Sequence, residues 1–344
     1  MSMNSSQLEL EMQRATEVIR NFNPLRAQQA ARDILVSGVD RVYWIGEGSS
    51  IIFPAKYAGN MYKALTKNSG THITLEARHA GTVDFGSIPD NSFVFLASNS
   101  GNTREIKRAL PELRGRHLIY YGVTAYRESE LGDFCGSRVY LLDHPPEKAT
   151  PATKSAVEQA AFFNAVVHEL AGREFPIVKG KPLAERLAGS MDINFTRKLP
   201  RTAISALESA NTVYWVDKDL GVAEELAWKT TEITRKKAAY HQGTKMLHSP
   251  GEGIKENDLI VVVDAHSYSE EDIHSIAELA SNTGAGVLTF ENADGSIPSL
   301  ENLVSREFGR EFSYLALGWN YLRRAALNLG LTPGVTTIVQ KFRE

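Results

Sequence analysis

Short apolar runs alternate along this chain with longer stretches in which apolar side chains recur every third or fourth position. Leu8, Met12, Ala15, Val18 and Ile19 follow the helical period, so Ser6 to Ser37 is predicted to be helical. Arg41 to Ile45 reads as a strand that empties into Gly46-Glu47-Gly48-Ser49-Ser50, and Ile51 to Leu65 as a helix. Thr71 to Leu75 and Ser92 to Leu96 are short strands, and the helix after the second ends near Arg114-Gly115. His117 to Val123 and Arg138 to Leu142 are strands, and Pro151 to Leu170 is a long helix. A charged, turn-forming stretch from Arg173 to Pro182 reads as a linker, after which the pattern restarts. Asn211 to Val216, Leu259 to Asp264 and Gly286 to Phe290 are strands; Leu220 to Lys237, Ser269 to Asn282 and Phe312 to Leu329 are helices.

Strands that alternate with helices predict an α/β fold with doubly wound parallel sheets, Rossmann-like and of the flavodoxin type, preceded by an N-terminal helical segment. Val42-Tyr43-Trp44-Ile45 and Val213-Tyr214-Trp215-Val216 open the two halves in nearly the same words. The expectation is therefore a tandem pair of units, residues 1–180 and 181–344, built from one repeated plan.

The most informative stretch follows the run Phe93-Val94-Phe95-Leu96: Ala97-Ser98-Asn99-Ser100-Gly101-Asn102-Thr103, with a helix beginning at Arg104. A helix N-terminus leaves backbone N–H groups unpaired and carries a partial positive charge, which suits a phosphate. Hydroxyls and amides add donors, and Gly101 lets the backbone approach the ligand. Ser, Thr and Asn are also the usual helix caps, so a plain N-cap is the alternative. The turn Gly46 to Ser50 would flank the same crevice, since ligands of open parallel sheets sit beyond the strand ends at the switch point. Gly46-Glu47-Gly48 is not a dinucleotide fingerprint, because Ala55 and Gly59 fall too late to supply its third glycine. Ala149-Thr150-Pro151-Ala152-Thr153-Lys154 is a third hydroxyl-bearing helix start, equally well read as a cap.

The second half supplies acid–base candidates. Lys229 and Glu232, three residues apart, share a helix face, although Glu232 could equally form a surface pair with Arg235 or Lys236. His248 lies in the turn-forming Leu247-His248-Ser249-Pro250-Gly251. A carboxylate and an imidazole near a phosphate site are what proton transfer between C1 and C2 of an open-chain sugar requires.

Composition narrows the classes. A formal net charge of −3 over 344 residues leaves no electrostatic footprint for nucleic acid or anionic lipid, and Arg235-Lys236-Lys237 reads as a solvated helix face. Cys135 is the single cysteine, which excludes a disulfide framework and a cysteine metal site and fits a reducing cytoplasm. No signal peptide is visible, and no stretch approaches the roughly twenty apolar residues of a membrane span. Neither a metal nor a cofactor is expected.

These motifs resemble those of SIS (sugar isomerase) domains. Ser98 to Thr103 is similar to the family's Ser-x-Ser-Gly-x-Thr motif, Gly46 to Ser50 to its Gly-Thr-Ser turn, and Pro151 to Lys154 to its Ala-Ser-Thr-Lys segment. The nearest architecture is the double-SIS isomerase half of the glucosamine-6-phosphate synthases, shared with the fructosamine-6-phosphate deglycases. Ala227-Trp228-Lys229-Thr230-Thr231-Glu232-Ile233 resembles that half's Ala-Leu-Lys-Leu-Lys-Glu-Ile, and His248-Ser249-Pro250 its His-Gly-Pro, with the Glu-to-His spacing kept. The resemblance implies phosphate binding by Ser98, Asn99, Ser100 and Thr103, with Ser49, Ser50 and Thr153 also against the substrate. It implies Glu232 as the C1/C2 proton shuttle with Lys229 beside it, and His248 as the ring-opening or hydroxyl-side group. In the family that histidine is lent by the neighbouring subunit, which implies a homodimer. The chain has no room for a glutaminase domain, so glutamine is not expected as its nitrogen source. The tail Pro333 to Ile338 offers no clear match to the synthase lysine, with Lys341 too late. Together these features favour a deglycase acting on a 6-phosphorylated ketosamine. An amino-sugar-6-phosphate deaminase or isomerase is the alternative, and a non-catalytic phosphosugar sensor is the rival of another class.

Overall fold

The computed structural model describes residues 6–68, 73–290 and 309–335. The chain opens with α1 (Gln7–Asn21) and α2 (Leu25–Ser37), and α2 is closed by Gly38 in the left-handed region. Then come β1 (Arg41–Gly46), α3 (Ile52–Thr66), β2 (Thr74–His79), β3 (Phe93–Ala97) and α4 (Arg104–Leu113). β4 (Ile119–Thr124), α5 (Glu130–Cys135), β5 (Val139–Leu141) and α6 (Lys154–Leu170) follow. The second run is α7 (Pro182–Thr196), α8 (Arg201–Ser209), β6 (Thr212–Asp217), α9 (Val222–Thr234), β7 (Lys237–Gln242), β8 (Leu259–Val262), α10 (Glu270–Thr283), β9 (Gly286–Thr289) and α11 (Arg310–Asn328).

Two compact units result. Among the described residues, the first comprises Glu17–Glu147 and Ala152–Ala184; the second comprises those from Glu185 to Val335, with Lys148–Pro151 and Ser6 to Thr16. Each holds one all-parallel sheet. The first has the order β2-β1-β3-β4-β5, the flavodoxin-type winding, and the second β7-β6-β8-β9 repeats its first four positions. The α/β doubly wound architecture and the repeated plan are thus as the alternating pattern predicts.

In the first unit β3 is buried along its whole length, and Tyr43, Ile45, Val94 and Leu96 pack against Ile106 and Leu110 of α4. In the second, Val216, Ile260 and Val262 pack against Ile276 and Ala280 of α10. α9 is held by α11 and the sheet. Gly318 of α11 permits the close approach, since a Cβ there would come 2.5 Å from both Leu226 methyls. The Trp215 indole N–H of β6 donates to Thr230 Oγ1 at 2.8 Å. No helix among the described residues is long and apolar enough to cross a membrane.

Five elements depart from the sequence reading. β7 replaces the end of the helix predicted to run to Lys237, because Arg235 turns to φ +60° and stops α9. β2 runs Thr74–His79 instead of Thr71–Leu75, of which residues 71 and 72 lie outside the described residues. Both are edge strands without a continuous apolar run, so propensity marks them poorly. The two helices α7 and α8, and the short α5, have no counterpart in the sequence reading.

Candidate functional site

The first unit positions its hydroxyl turns through strand register. β1 and β3 are neighbours at the point where the sheet order reverses, and Gly46 pairs with Ala97, so both turns leave from one rung. The approach is close: a Cβ on Gly46 would stand 2.9 Å from the Ala97 carbonyl oxygen. After β1, Gly48–Ser50 forms a single 3-10 turn with Ser50 buried. The Glu47 carboxylate accepts the Gly81 N–H at 3.0 Å and lies 3.4 Å from His79 Nδ1.

After β3 three hydroxyls converge. Ser98 Oγ shares a 2.7 Å hydrogen bond with Thr103 Oγ1, lies 3.5 Å from Ser100 Oγ, and accepts the Gly101 N–H at 3.0 Å. Ser100 Oγ accepts the Asn102 N–H at 3.2 Å. Thr103 stands at the N-cap of α4, yet its side chain makes no capping hydrogen bond; its hydroxyl turns to Ser98 instead. The plain-cap alternative is therefore not what this hydroxyl does. The Asn99 backbone carbonyl is fixed by Thr124 Oγ1 and the Ala125 N–H, while its side-chain Oδ1 is buried with no partner among the described residues.

The turn rests on α5, which sequence reading missed. Asn102 Oδ1 accepts the Glu130 N–H at 3.0 Å, so this amide braces the turn, and the Leu131 N–H donates to the Gly101 carbonyl at 3.1 Å. Gly101 has φ +68°, and a Cβ there would collide with Ser129 Oγ. Gly101→Ala is expected to lower thermal stability, since backbone strain of this kind alone costs about 1–3 kcal/mol. Differential scanning fluorimetry with and without inorganic phosphate checks both the fold and the turn.

The third segment is differently employed. Thr153 is buried, its N–H and hydroxyl both donate to Glu147 Oε1 at 2.7 and 2.9 Å, and Ser155 Oγ donates to Glu147 Oε2. A carboxylate from the same chain thus occupies the start of α6, where a helix dipole favours negative charge. No local sequence signal marks Glu147, six residues upstream, for this role.

In the second unit α9 carries a three-residue ionic cluster. Lys229 Nζ lies 2.8 Å from Glu232 Oε2 and 3.1 Å from Glu225 Oε1. Lys229 and Glu225 are fully buried, whereas the Glu232 side chain is 31% exposed. Burial alone would lower the Lys229 pKa, but the two carboxylates outweigh it and hold the ammonium above the ordinary lysine range. Glu232 is thereby held through Oε2, and its side chain remains partly exposed. The surface pair with Arg235 or Lys236 is not formed: an Arg235 guanidinium nitrogen donates to the Val335 carbonyl, and Lys236 Nζ to the Ala210 carbonyl. Glu225 was missed by sequence reading, though its i, i+4 spacing to Lys229 is a legible signal. His248 is exposed between two 3-10 turns, and among the described residues no hydrogen bond or ion pair links its imidazole to Glu232.

No protein-family model and no curated protein sequence matches the chain. Solved structures do. Glucosamine-6-phosphate deaminase from Thermotoga maritima superposes with a TM-score of 0.68 at 20% identity, covering 97% of this chain and 98% of that one. Tagatose-6-phosphate ketose/aldose isomerase from Escherichia coli gives 0.73 at 18% identity, over 99% and 98%. The C-terminal domain of glucosamine-fructose-6-phosphate aminotransferase from Francisella tularensis gives 0.68 at 13%, over 94% and 97%. The chain has the fold of these three structures along nearly its full length.

Proposed function

We propose that the chain is a phosphosugar-processing enzyme, in which the Ser98–Thr103 turn holds the phosphate of a sugar 6-phosphate and Glu232 moves a proton between C1 and C2. The observation that carries this reading is the Glu232 carboxylate, anchored through Oε2 by a buried ammonium while its side chain stays 31% exposed. That is the arrangement a general base needs: fixed in direction and accessible. The converged hydroxyls of Ser98, Ser100 and Thr103 support the phosphate role, with Ser49 and Ser50 beside them on the neighbouring strand end. The similar structures support the substrate class, since all three are named for sugar 6-phosphates.

The favoured reaction is deglycation of a 6-phosphorylated ketosamine. Glu232 takes a proton from C1 and returns it to C2, converting the C2 ketone and C1 amine into a C2 alcohol and a C1 imine. Water adds at C1, the C–N bond breaks, and an aldose 6-phosphate and an amine are released without net oxidation or reduction. His248 assists proton movement on the hydroxyl side, lent by the second subunit of a homodimer. The Thermotoga deaminase favours a second reading, deamination or isomerisation of an amino-sugar 6-phosphate, which shares the same proton transfer.

Incubation with fructose-amino-acid 6-phosphates and with glucosamine 6-phosphate, following amine and ammonia release, separates the two. Tight binding without turnover on either would establish a sensor instead. Ser100→Ala and Thr103→Ala are expected to raise KM with little change in kcat, because they remove contacts shared by ground and transition states. Mixing Glu232→Gln with His248→Ala subunits is expected to restore activity if the histidine crosses a dimer interface.

A further inference from the structure

α9 is mostly buried, and its accessible positions form one stripe. Glu224 and Glu232 are partly exposed, and Trp228 stands between them at i, i+4 spacing. Trp228 is 45% exposed, whereas Trp44, Trp215 and Trp319 are each exposed by 1% or less, so it is the one surface tryptophan of the four in the sequence. Among the described residues its indole stacks on no ring, meets no cation and makes no hydrogen bond. Single exposed apolar residues are common, but this one lies one helical turn from the carboxylate that Lys229 pins in place. Side chains at i and i+4 stand about 5–6 Å apart at Cβ, within reach of one small ligand.

We infer that Trp228 determines substrate specificity by packing against the carbon skeleton of the amine carried on C1. The inference rests on the proposed role of Glu232. A group that works at C1 and C2 has the nitrogen substituent immediately beyond the reacting bond, which is where the neighbouring turn of α9 offers its indole. Departing ammonia has no apolar surface to bury there. An amino-acid skeleton has such a surface, and a cationic nitrogen over the ring face gains further attraction within about 6 Å.

The test compares fructosyl-alanine and fructosyl-leucine 6-phosphates with the unsubstituted 1-amino-1-deoxyfructose 6-phosphate. The wild type is expected to prefer the substituted compounds, and Trp228→Ala to shrink the ratio of their kcat/KM values about 10- to 100-fold, the scale of a few methylene-sized contacts. Trp228→Phe should fall between. Acrylamide quenching of tryptophan fluorescence gives a readout independent of turnover, because Trp228 is the accessible indole. Substituted ligands should shield it in both the wild type and Glu232→Gln, and the unsubstituted one should not. Shielding of the wild type with no turnover by it would overturn the Glu232 reading and leave this one standing. Turnover with an unchanged selectivity ratio in Trp228→Ala, equal shielding by both ligands, or an indole already inaccessible without ligand would overturn the inference.

Discussion

Glu232→Gln is expected to lower kcat by about 10²- to 10⁴-fold, the contribution of a positioned general acid–base group, while sugar-phosphate affinity is kept. The amide retains the shape of the side chain and an oxygen able to accept from Lys229, and Lys229 keeps Glu225 as its charge partner. The loss therefore isolates proton transfer from folding. Single-turnover measurements with a ketosamine 6-phosphate, beside a binding titration, provide the check. Full turnover in this variant would move the base elsewhere, and equal loss of binding would make Glu232 a ligand-holding group.

Lys229→Met carries the largest expected effect on stability. Methionine nearly matches the buried volume but leaves the Glu225 carboxylate buried without the ammonium 3.1 Å away. Removing one partner of a buried ion pair costs about 3–5 kcal/mol, because the remaining charge stays out of water without the opposite charge that compensated it. A lower urea midpoint is expected, together with weaker turnover as Glu232 loses its anchor. The double variant Glu225→Gln with Lys229→Met should recover much of the stability but not the turnover, which distinguishes charge burial from catalytic positioning. The pH dependence follows in sign. Because the Lys229 pKa is raised by its carboxylates, its contribution is complete below the ordinary lysine value and is lost only as pH climbs through the raised one. Stability measured across neutral pH should therefore show no step from this group.

The β3 turn was legible because every signal for it is local: an apolar run, then hydroxyls, amides and one glycine, then a helix. The Lys229–Glu232 contact was legible from i, i+3 spacing alone. β7 was not, since Lys237–Gln242 has neither an apolar run nor a breaker before it. The internal repeat offered the one available signal, because the first unit already places an edge strand between its first helix and its central strand. Thr153 illustrates the other limit. Its residue type and helix-start position fit a ligand or a cap equally, and the Glu147 carboxylate that engages it is identified only by the folded loop.

By itself, the sequence determined what depends on neighbours along the chain: the alternation of strands and helices, the duplicated plan, the hydroxyl turn and the lysine one helical turn from a carboxylate. Tertiary structure decided what depends on partners far apart in sequence. It set Gly46 against Ala97 so that two turns leave one rung, braced the hydroxyl turn on α5, and gave Lys236 and Arg235 other acceptors so that Glu232 answers to Lys229. Periodicity and turn chemistry act over a few residues and can be read in order. Hydrogen-bond partners and burial are settled only when the sheet brings distant segments together.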